Sequence, residues 1–523
     1  MSLGTLIVFL DLTVVNTALP AISVDLGATT SELQCVVDSY VLVLAGLLIL
    51  AGSIGDRFGR KRWMSAGLVI FLAGSVLGAI AGSITTLIAG RALQGLGAAF
   101  VLPATLSIVT NAFDREERGK AIAVWTAVGG IGIGFGPAIG GYLVDRFDWS
   151  AAFWIHVPII LLVLGGQVVV PESRDDRKLG LDVPGAITAT LGITMLVFAI
   201  IQGNEAGWSS PLIVGSFALA AGLLVAFVQI ERRAKFPMLP LHFFRQRDFS
   251  GSVAVIGLMF FAGPATFFFL TQFFQIVQGR DPFEAGLLIL PNAGAIILAS
   301  ALAPKLTELV GPRRIVIVAM GVMATSMVLF TQVEASWSAG TEIAIIMVLG
   351  FGFGLGMPAL TDSIMAAVPV EDAGVGSAVN DVSRELGSAL GVAVLGSVIN
   401  GIYRGNVEDQ LAGQVPAETV ELAQEGIGVV AASLPSLPPD VAATTFGTAS
   451  AAFIDAMNSG FWISAAIMAA GVGIAAALLP NEARSTQVER DVDTDGEAVV
   501  ADAAPVPTPT DDFAPVPAVV VGS

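Results

Sequence analysis

The sequence predicts an all-α integral membrane protein with fourteen spanning helices and both termini in the cytoplasm. Of the 523 residues, 54% are apolar and only 13% are charged, and the mean hydropathy is +0.81. A soluble protein usually carries about 25% charged residues. Long apolar runs recur along the chain, and the basic residues between them fall mainly on one side. These observations indicate a membrane protein.

Each predicted span is an apolar run of the length that a membrane-crossing helix needs, roughly 17–25 residues. In chain order the fourteen runs lie near residues 3–23, 34–54, 63–83, 86–109, 120–143, 151–170, 183–202, 211–230, 250–273, 284–303, 314–332, 341–360, 377–401 and 458–479. Because the number of runs is even, the two termini are expected on the same side of the membrane.

The basic residues set the orientation of these spans. With the amino terminus inside, the inner loops and tail hold twenty Lys or Arg residues, and the outer loops hold only Arg146, Arg280 and Arg404. This asymmetry follows the positive-inside rule. A one-helix error would invert every later loop, so the asymmetry also supports the number fourteen. The remaining two, Arg91 and Arg384, fall inside predicted spans.

The spans predict four regions along the chain. Residues 1–171 are expected to form an amino-terminal six-helix bundle, and residues 172–249 an inserted helix pair with its flanking inner loops. Residues 250–480 are expected to form a carboxy-terminal six-helix bundle, and residues 481–523 a disordered acidic Pro/Ala-rich tail. The third region includes an outer loop at 402–457, with a short amphipathic helix near 415–427. A weak repeat supports two related halves, since GSIGDRFGRKR from Gly52 aligns with PKLTELVGPRR from Pro304.

The loop after the second span, GSIGDRFGRKR, predicts a charge latch on the inner face. Its glycines allow helix ends to approach closely. Asp56 is placed at a helix terminus, where its carboxylate can pair with a nearby arginine. The residues of this predicted latch are Gly52, Gly55, Asp56, Arg57, Gly59 and Arg60. The alternative is that the basic residues act only as topology signals.

The fifth span reads GGIGIGFGPAIGGYL and predicts close helix packing. Gly132, Gly136 and Gly140 recur every four residues on one helix face, Gly141 follows them, and Pro137 introduces a bend. A dinucleotide-binding glycine motif is excluded because no strand precedes the segment.

Three other spans place charges where lipid is expected. Arg91 in GRALQGLGAAFVLPA stays protonated, so it requires a counter-charge or a polar cavity; the alternative is an arginine that reaches the headgroups. Asp11 lies in the first span, in LDLTVVNTALP, with no basic partner in that helix. Asp38 lies near the outer end of the second span, where a wetted interfacial carboxylate is the alternative.

The thirteenth span opens with NDVSRELGSALG. Asp381, Arg384 and Glu385 are spaced i, i+3 and i+4, so they share one helix face. Two acids and one base can line a cavity of net negative charge. A charge at the bilayer centre costs about 2.5–3.5 kcal/mol on insertion scales, so a function is expected. The alternative is a cluster at the inner end of the helix that is wetted by the cytoplasm.

Together these motifs resemble the major facilitator superfamily, and in particular its fourteen-helix drug:proton antiporters of the EmrB/QacA-like branch. The resemblance implies the major facilitator fold, in which two six-helix bundles rock about a central site. The fifth span is similar to the antiporter signature of drug exporters, which implies export. The thirteenth span is similar to a helix whose acids, here Asp381 and Glu385, are associated with substrate or proton binding.

The sequence also departs from this branch. Some cation exporters have an additional acid in the tenth span, where this chain has only Asn292 as a strongly polar side chain, which argues against divalent cargo. His156 stands where relatives commonly have Asn, so it serves either as a hydrogen-bonding group or as a pH sensor.

We expect transport powered by the proton gradient. No Walker motif is present, no cofactor is expected, and neither a nucleophile–base pair nor a metal cluster suggests an enzyme. Desolvation favours the protonated form of a membrane carboxylate, so a proton and a cation can compete for it. Asp38 is the first choice for this exchange, then Asp381 and Glu385, then Asp11. Five aromatic residues in or next to the ninth span could either face lipophilic cargo or pack against neighbouring helices. They are Phe267, Phe268, Phe269, Phe273 and Phe274.

The expected partners are lipophilic, cationic small molecules, protons and the lipid bilayer of a bacterial plasma membrane. No nucleic acid is expected, because the basic residues form no single patch. The single Cys35 excludes an intrachain disulfide, and we expect a monomer. The alternatives are another cargo such as an endogenous lipid, antibiotic or peptide, a proton-coupled importer, and a membrane sensor that transports nothing.

Overall fold

The computed structural model describes residues 1–26, 28, 30–174, 182–234, 237 and 239–481. Within these residues the chain is helical and forms no strand. The helices are α1 Ser2–Leu26, α2 Thr30–Phe58, α3 Arg60–Ala79, α4 Ile84–Ala112, α5 Arg115–Arg146, α6 Ala151–Trp154, α7 His156–Gly166, α8 Val183–Ala206, α9 Pro211–Arg233, α10 Arg247–Gln272, α11 Pro282–Val310, α12 Pro312–Phe330, α13 Ala339–Ala366, α14 Ala373–Leu411, α15 Ala417–Glu425, α16 Ile427–Ser433 and α17 Pro439–Leu478.

Fourteen spans in this part of the chain are long and apolar enough to cross a membrane, as the hydropathy predicted. The short helices α6 and α7 together form the sixth of them. The predicted disordered tail lies outside the described residues beyond 481. We call the end of the molecule that carries Arg60 the inner end, following the distribution of basic residues.

The contacts between helices divide the spans into an amino-terminal part, a carboxy-terminal part and an additional helix pair. In the amino-terminal part, α1 packs on α5, and both α2 and α3 pack on α4. In the carboxy-terminal part, α10 packs on α14, α11 on α13, and α12 on α13 and α17. The two parts meet where α5 contacts α11 and α13 and where α14 contacts α2 and α4. The pair α8 and α9 packs together, and α8 lies against both α2 and α14.

The outer segment differs from the loop expected at 402–457. Helix α14 is 39 residues long and α17 is 40, so each spans about 60 Å, twice the hydrocarbon thickness. Both helices therefore project beyond the membrane. Tyr403 explains the extension of α14, because its hydroxyl donates to the Ala423 carbonyl at 2.9 Å and its ring packs against Phe453. Helix α15 lies where the short amphipathic helix was expected.

Candidate functional site

The inner end is closed by a contact between α2 and the first turn of α14. The N–H groups of Gly374 and Val375 donate to the two carboxylate oxygens of Asp56, at 2.9 and 3.0 Å. The first N–H groups of a helix have no partner inside it, and its N-terminus favours a negative charge. Asp56 is 3% exposed. It therefore caps a helix that belongs to the other part of the molecule.

Arg60 completes this latch. Its Nε lies 2.7 Å from Oδ1 of Asp56, and its Nη2 donates to the carbonyls of Val370 and Glu371 at 2.6 and 3.1 Å. The Arg60 side chain thus binds both Asp56 of the preceding helix α2 and the backbone that leads into α14. At the same end, Arg118 of α5 lies within electrostatic reach of Asp362 on α13, which adds a second charge pair between the two parts.

The latch glycines have different roles. A Cβ on Gly52 would lie 2.5 Å from the Gly374 carbonyl oxygen, so only glycine permits this crossing of α2 and α14. Gly59 has φ of 111°, which favours glycine, and it allows α3 to begin directly after α2. The expected close approach is wrong at Gly55, where a Cβ would meet no described atom within 4 Å. Arg57 instead reaches the Pro237 carbonyl, at 3.4 Å.

A second polar cluster is buried among the amino-terminal helices. Arg91 of α4 lies 2.6 Å from Asp11 of α1, and its Nη1 also donates to Gln94 at 2.9 Å. Gln94 in turn donates to Asp11 at 3.1 Å and to Ser75 at 2.9 Å. Asp11, Arg91 and Gln94 are each at most 1% exposed. The counter-charge that Arg91 required is therefore Asp11, so Arg91 does not reach for the headgroups.

His156 of α7 lies beside this cluster. Its Nε2 is 3.6 Å from Asp11 Oδ1, and the Phe153 backbone lies within reach of the ring. The ring is fully buried and packs edge-on against Phe71. The hydrogen-bonding role expected for His156 stays a prediction.

The fifth-span glycines separate into two faces of α5. A Cβ on Gly132 would lie 3.1 Å from the Leu10 backbone of α1, and Gly136 and Gly140 face Thr13 and Thr17 of the same helix. Gly130 lies on another face, against Ile296 of α11. Helix α5 thus packs closely on both sides through positions without side chains.

Gly141 and Pro137 are the other two residues of that motif. The packing expectation is wrong for Gly141, because no heavy atom of the described chain lies within 4 Å of the Cβ it would carry. Pro137 lies inside α5, which continues through it from Arg115 to Arg146.

The central cluster lies on α14 where this helix faces the amino-terminal part. Gly374 marks the inner crossing, so Asp381 is about 10 Å and Glu385 about 16 Å farther toward the outer end. Asp381 is 1% exposed, and Arg384 Nη1 lies 3.1 Å from its Oδ1. Asn380 also donates to Asp381, at 3.2 Å. A cluster wetted at the helix end does not fit this burial.

Glu385 differs from its two neighbours because its side chain keeps intermediate exposure. Asp381 lies closer to the sealed inner end and is buried. Tyr40 of α2 lies within electrostatic reach of Glu385, and Arg91 stacks on the face of its ring at 4.4 Å. Tyr40 therefore stands between the Arg91 cluster and Glu385.

Aromatic rings surround the guanidinium of Arg384. Its Cζ lies 4.7 Å from the ring centre of Phe9, 4.8 Å from that of Phe260 and 5.7 Å from that of Trp125. The aromatics of the ninth span, which could face cargo or simply pack, do not form this site. Phe273 and Phe274 are fully buried in packing, and Phe268 is 52% exposed on the outer surface of the bundle.

Asp38 lies apart from the inner latch, about 27 Å along α2 from Asp56. It is half-buried, and its Oδ2 accepts a hydrogen bond from Gln202 of α8 at 3.3 Å. The structure thus places Asp38 at the contact between α2 and α8.

Sequence reasoning missed Tyr40 and the three rings around Arg384. The stretch VVDSYVLVLAG contains Tyr40 two residues after the acid that drew attention, and a polar ring in an apolar span is a usable signal. Phe9, Trp125 and Phe260 carry no such signal, because apolar aromatics are ordinary in membrane helices.

Comparison with known proteins places these features in context. The family profile described as Major Facilitator Superfamily matches residues 1–392. The chain is 35% identical to the multidrug resistance protein Stp of Mycobacterium tuberculosis, over 79% of this chain and 77% of that one. It is 34% identical to the multidrug efflux pump LfrA of Mycolicibacterium smegmatis, over 92% and 94%.

A solved structure also shares the fold. The human organic anion transporter MFSD10 superposes with a TM-score of 0.56, covering 89% of this chain and 97% of that one at 15% identity. At this identity the likeness shows the fold alone.

Proposed function

The chain belongs to the Major Facilitator Superfamily, and from this premise we propose that it exports lipophilic cationic drugs from a bacterial cell in exchange for protons. Its similarity to named multidrug efflux proteins supports a drug efflux transporter. Its family and fold are those of transporters rather than enzymes. Proton coupling and the cationic substrate class are our own inference from the central cluster.

Glu385 is the observation that carries the proposal. It is an acid about 16 Å along α14 from the inner crossing, its side chain has intermediate exposure, and the inner end beneath it is sealed. Asp381 and Arg384 are its charged neighbours on the same helix face. A carboxyl group can hold a proton or balance a cation, so an acid placed here can exchange one for the other.

The latch supplies the alternating access that exchange requires. With Asp56 on the N-terminus of α14, the cluster faces outward, and Glu385 takes up a proton as the cation leaves. When the latch opens, Glu385 faces the cytoplasm and loses the proton, and its negative charge balances that of the next cation. The inward flow of protons drives the cycle. One proton is exchanged for one cation, so no net charge crosses, and the pH difference supplies about 1.4 kcal/mol for each tenfold difference in proton concentration.

We also propose that α8 and α9 are an inserted pair between two six-helix bundles at residues 1–171 and 250–480. Helix α8 lies between α2 and α14, and Trp208, just beyond its end, donates to Ser397 of α14 at 2.8 Å. Such a helix would shield the contact between α2 and α14 on the side that carries Asp38.

The test is ethidium transport into inverted vesicles that contain the protein. We expect uptake that stops with a protonophore, that Glu385→Gln abolishes, and that Asp38→Asn reduces less than tenfold. Equal expression of the variants in the membrane is the control. Full activity of Glu385→Gln would overturn the assignment of coupling to this acid, and uptake insensitive to the protonophore would overturn proton coupling itself.

A further inference from the structure

Arg384 is held in an unusual way for a buried arginine. Its side chain is about 5% exposed, yet it makes one close contact with a carboxylate, and its Nε has no hydrogen-bond partner among the described residues. The rings of Phe9, Trp125 and Phe260 also lie within about 6 Å of its Cζ. Arg91, by contrast, binds an acid, an amide and a backbone carbonyl.

The three rings form an aromatic cage, which we define as Phe9, Trp125 and Phe260. All three are at least nine-tenths buried. The face of an aromatic ring attracts a cation within about 6 Å of its centre, and the attraction grows when water is excluded. Rings of this kind recognise organic cations whose charge is spread and weakly hydrated. The guanidinium of Arg384 is itself such a cation.

We propose that the aromatic cage binds the cationic group of the exported compound, and that Arg384 occupies the cage when no compound is bound. This inference rests on the proposed function and names the subsite for its substrate. An entering organic cation replaces the guanidinium, so the charge inside the cage stays the same. Arg384 then turns toward Glu385, the adjacent acid on its own helix.

This exchange explains a preference for cations over neutral compounds of the same shape. A neutral compound that displaced Arg384 would leave the rings without a cation. It would also make no ionic interaction with Asp381. The cage also draws on both parts of the molecule, since Phe9 and Trp125 lie on α1 and α5 and Phe260 lies on α10. It is complete only while these parts are close, so its occupancy responds to the conformation of the transporter.

Equilibrium binding to the purified protein in detergent, without any gradient, tests the cage. The probes are tetraphenylphosphonium, a lipophilic cation, and triphenylphosphine oxide, a neutral compound of related shape. We expect Arg384→Gln to raise the affinity for the cation about tenfold and to leave that for the neutral compound unchanged. Phe260→Leu should lower cation affinity about fivefold, which corresponds to the loss of one ring.

A matched variant serves as the control. Phe268→Leu removes an exposed ring from the same helix and should change neither affinity. Removing a positive charge could raise cation affinity without any cage. The double variant Arg384→Gln/Phe260→Leu decides this point, because loss of the gain supports the cage and a retained gain overturns it.

The outcomes separate this inference from the proposed function. Unchanged or weaker cation binding by Arg384→Gln, in protein that elutes as a single folded species, overturns the cage. If vesicles still take up ethidium in a proton-dependent way, the proposed function stands without it. If cation binding follows the cage but no vesicle transport occurs, the proposed function fails and the cage remains.

Discussion

At the scale of single residues, the two buried arginines show opposite arrangements. Arg91 has its charge matched by Asp11 and its donors matched by Gln94 and the Val36 carbonyl. Arg384 has one acid and three rings. A buried charge with complete partners stabilises one structure, whereas a charge with incomplete partners can move. We therefore assign scaffolding to the Arg91 cluster and exchange to the Arg384 cluster.

This assignment predicts that removing one partner of the Asp11–Arg91 pair destabilises the protein. Arg91→Met or Asp11→Leu alone should cost about 3–5 kcal/mol, because each leaves an unpaired buried charge. The double replacement should recover most of that loss. The melting temperature of the purified protein in detergent measures this, and a double-mutant cycle gives the coupling. Additive losses would contradict the pairing.

At the scale of helices, glycines decide which faces can meet. Gly132 lies against the backbone of α1, whereas Gly141 of the same helix has open space around it. Gly52 and Gly55 of α2 form a second such pair. In lipid, helices associate through close packing rather than through the hydrophobic effect, so a single methyl group at the contact matters.

Gly132→Val and Gly141→Val test this difference within one helix. The first places a branched side chain against α1 and should reduce the yield of folded protein severalfold, because α1 and α5 can no longer approach. The second should leave the yield near that of the wild type. Detergent-extracted, monodisperse protein from equal cell mass is the measurement. Similar losses from both variants would show that helix propensity, not packing, controls the result.

At the scale of the whole molecule, the latch determines which side reaches the central cluster. Asp56 and Arg60 join the inner ends of the two parts, and the described contacts hold Ser377 of α14 fully buried behind them. Loss of the Asp56 charge weakens both its hold on the α14 N-terminus and its ion pair with Arg60. The population should then shift toward an inward-open form.

Cysteine labelling measures that shift. Cys35→Ser removes the single cysteine of the chain, and Ser377→Cys then places a thiol behind the latch. We expect slow reaction with a membrane-impermeant maleimide in inverted vesicles, and a rate at least tenfold higher after Asp56→Asn. Gly55→Ala is the control, since it should not change the rate. Fast labelling without the Asp56 substitution would show that the latch does not close this end.

The sequence by itself determined the helical membrane class, the number of spans, the paired charges Asp56 and Arg60 of the latch, and the three charged residues of the central cluster. These features follow from local hydropathy, loop charge and short motifs, which tertiary contacts do not alter. It also placed Asp381, Arg384 and Glu385 on one face, because helix geometry is regular. The extension of α14 to Leu411 was not predictable, since Tyr403 and its partner Ala423 stabilise it from outside the helix.

Only the tertiary structure decided which groups meet. Asp11 and Arg91 are 80 residues apart, and Asp56 and Gly374 are 318 apart. No local pattern encodes such pairs, because the order in which helices pack depends on the whole set of apolar faces. The same reason explains why Gly132 is tightly packed and Gly141 is not, and why three unremarkable aromatic residues surround Arg384. The sequence specifies which residue types are present, and the packing of helices distant in sequence decides which of them are in contact.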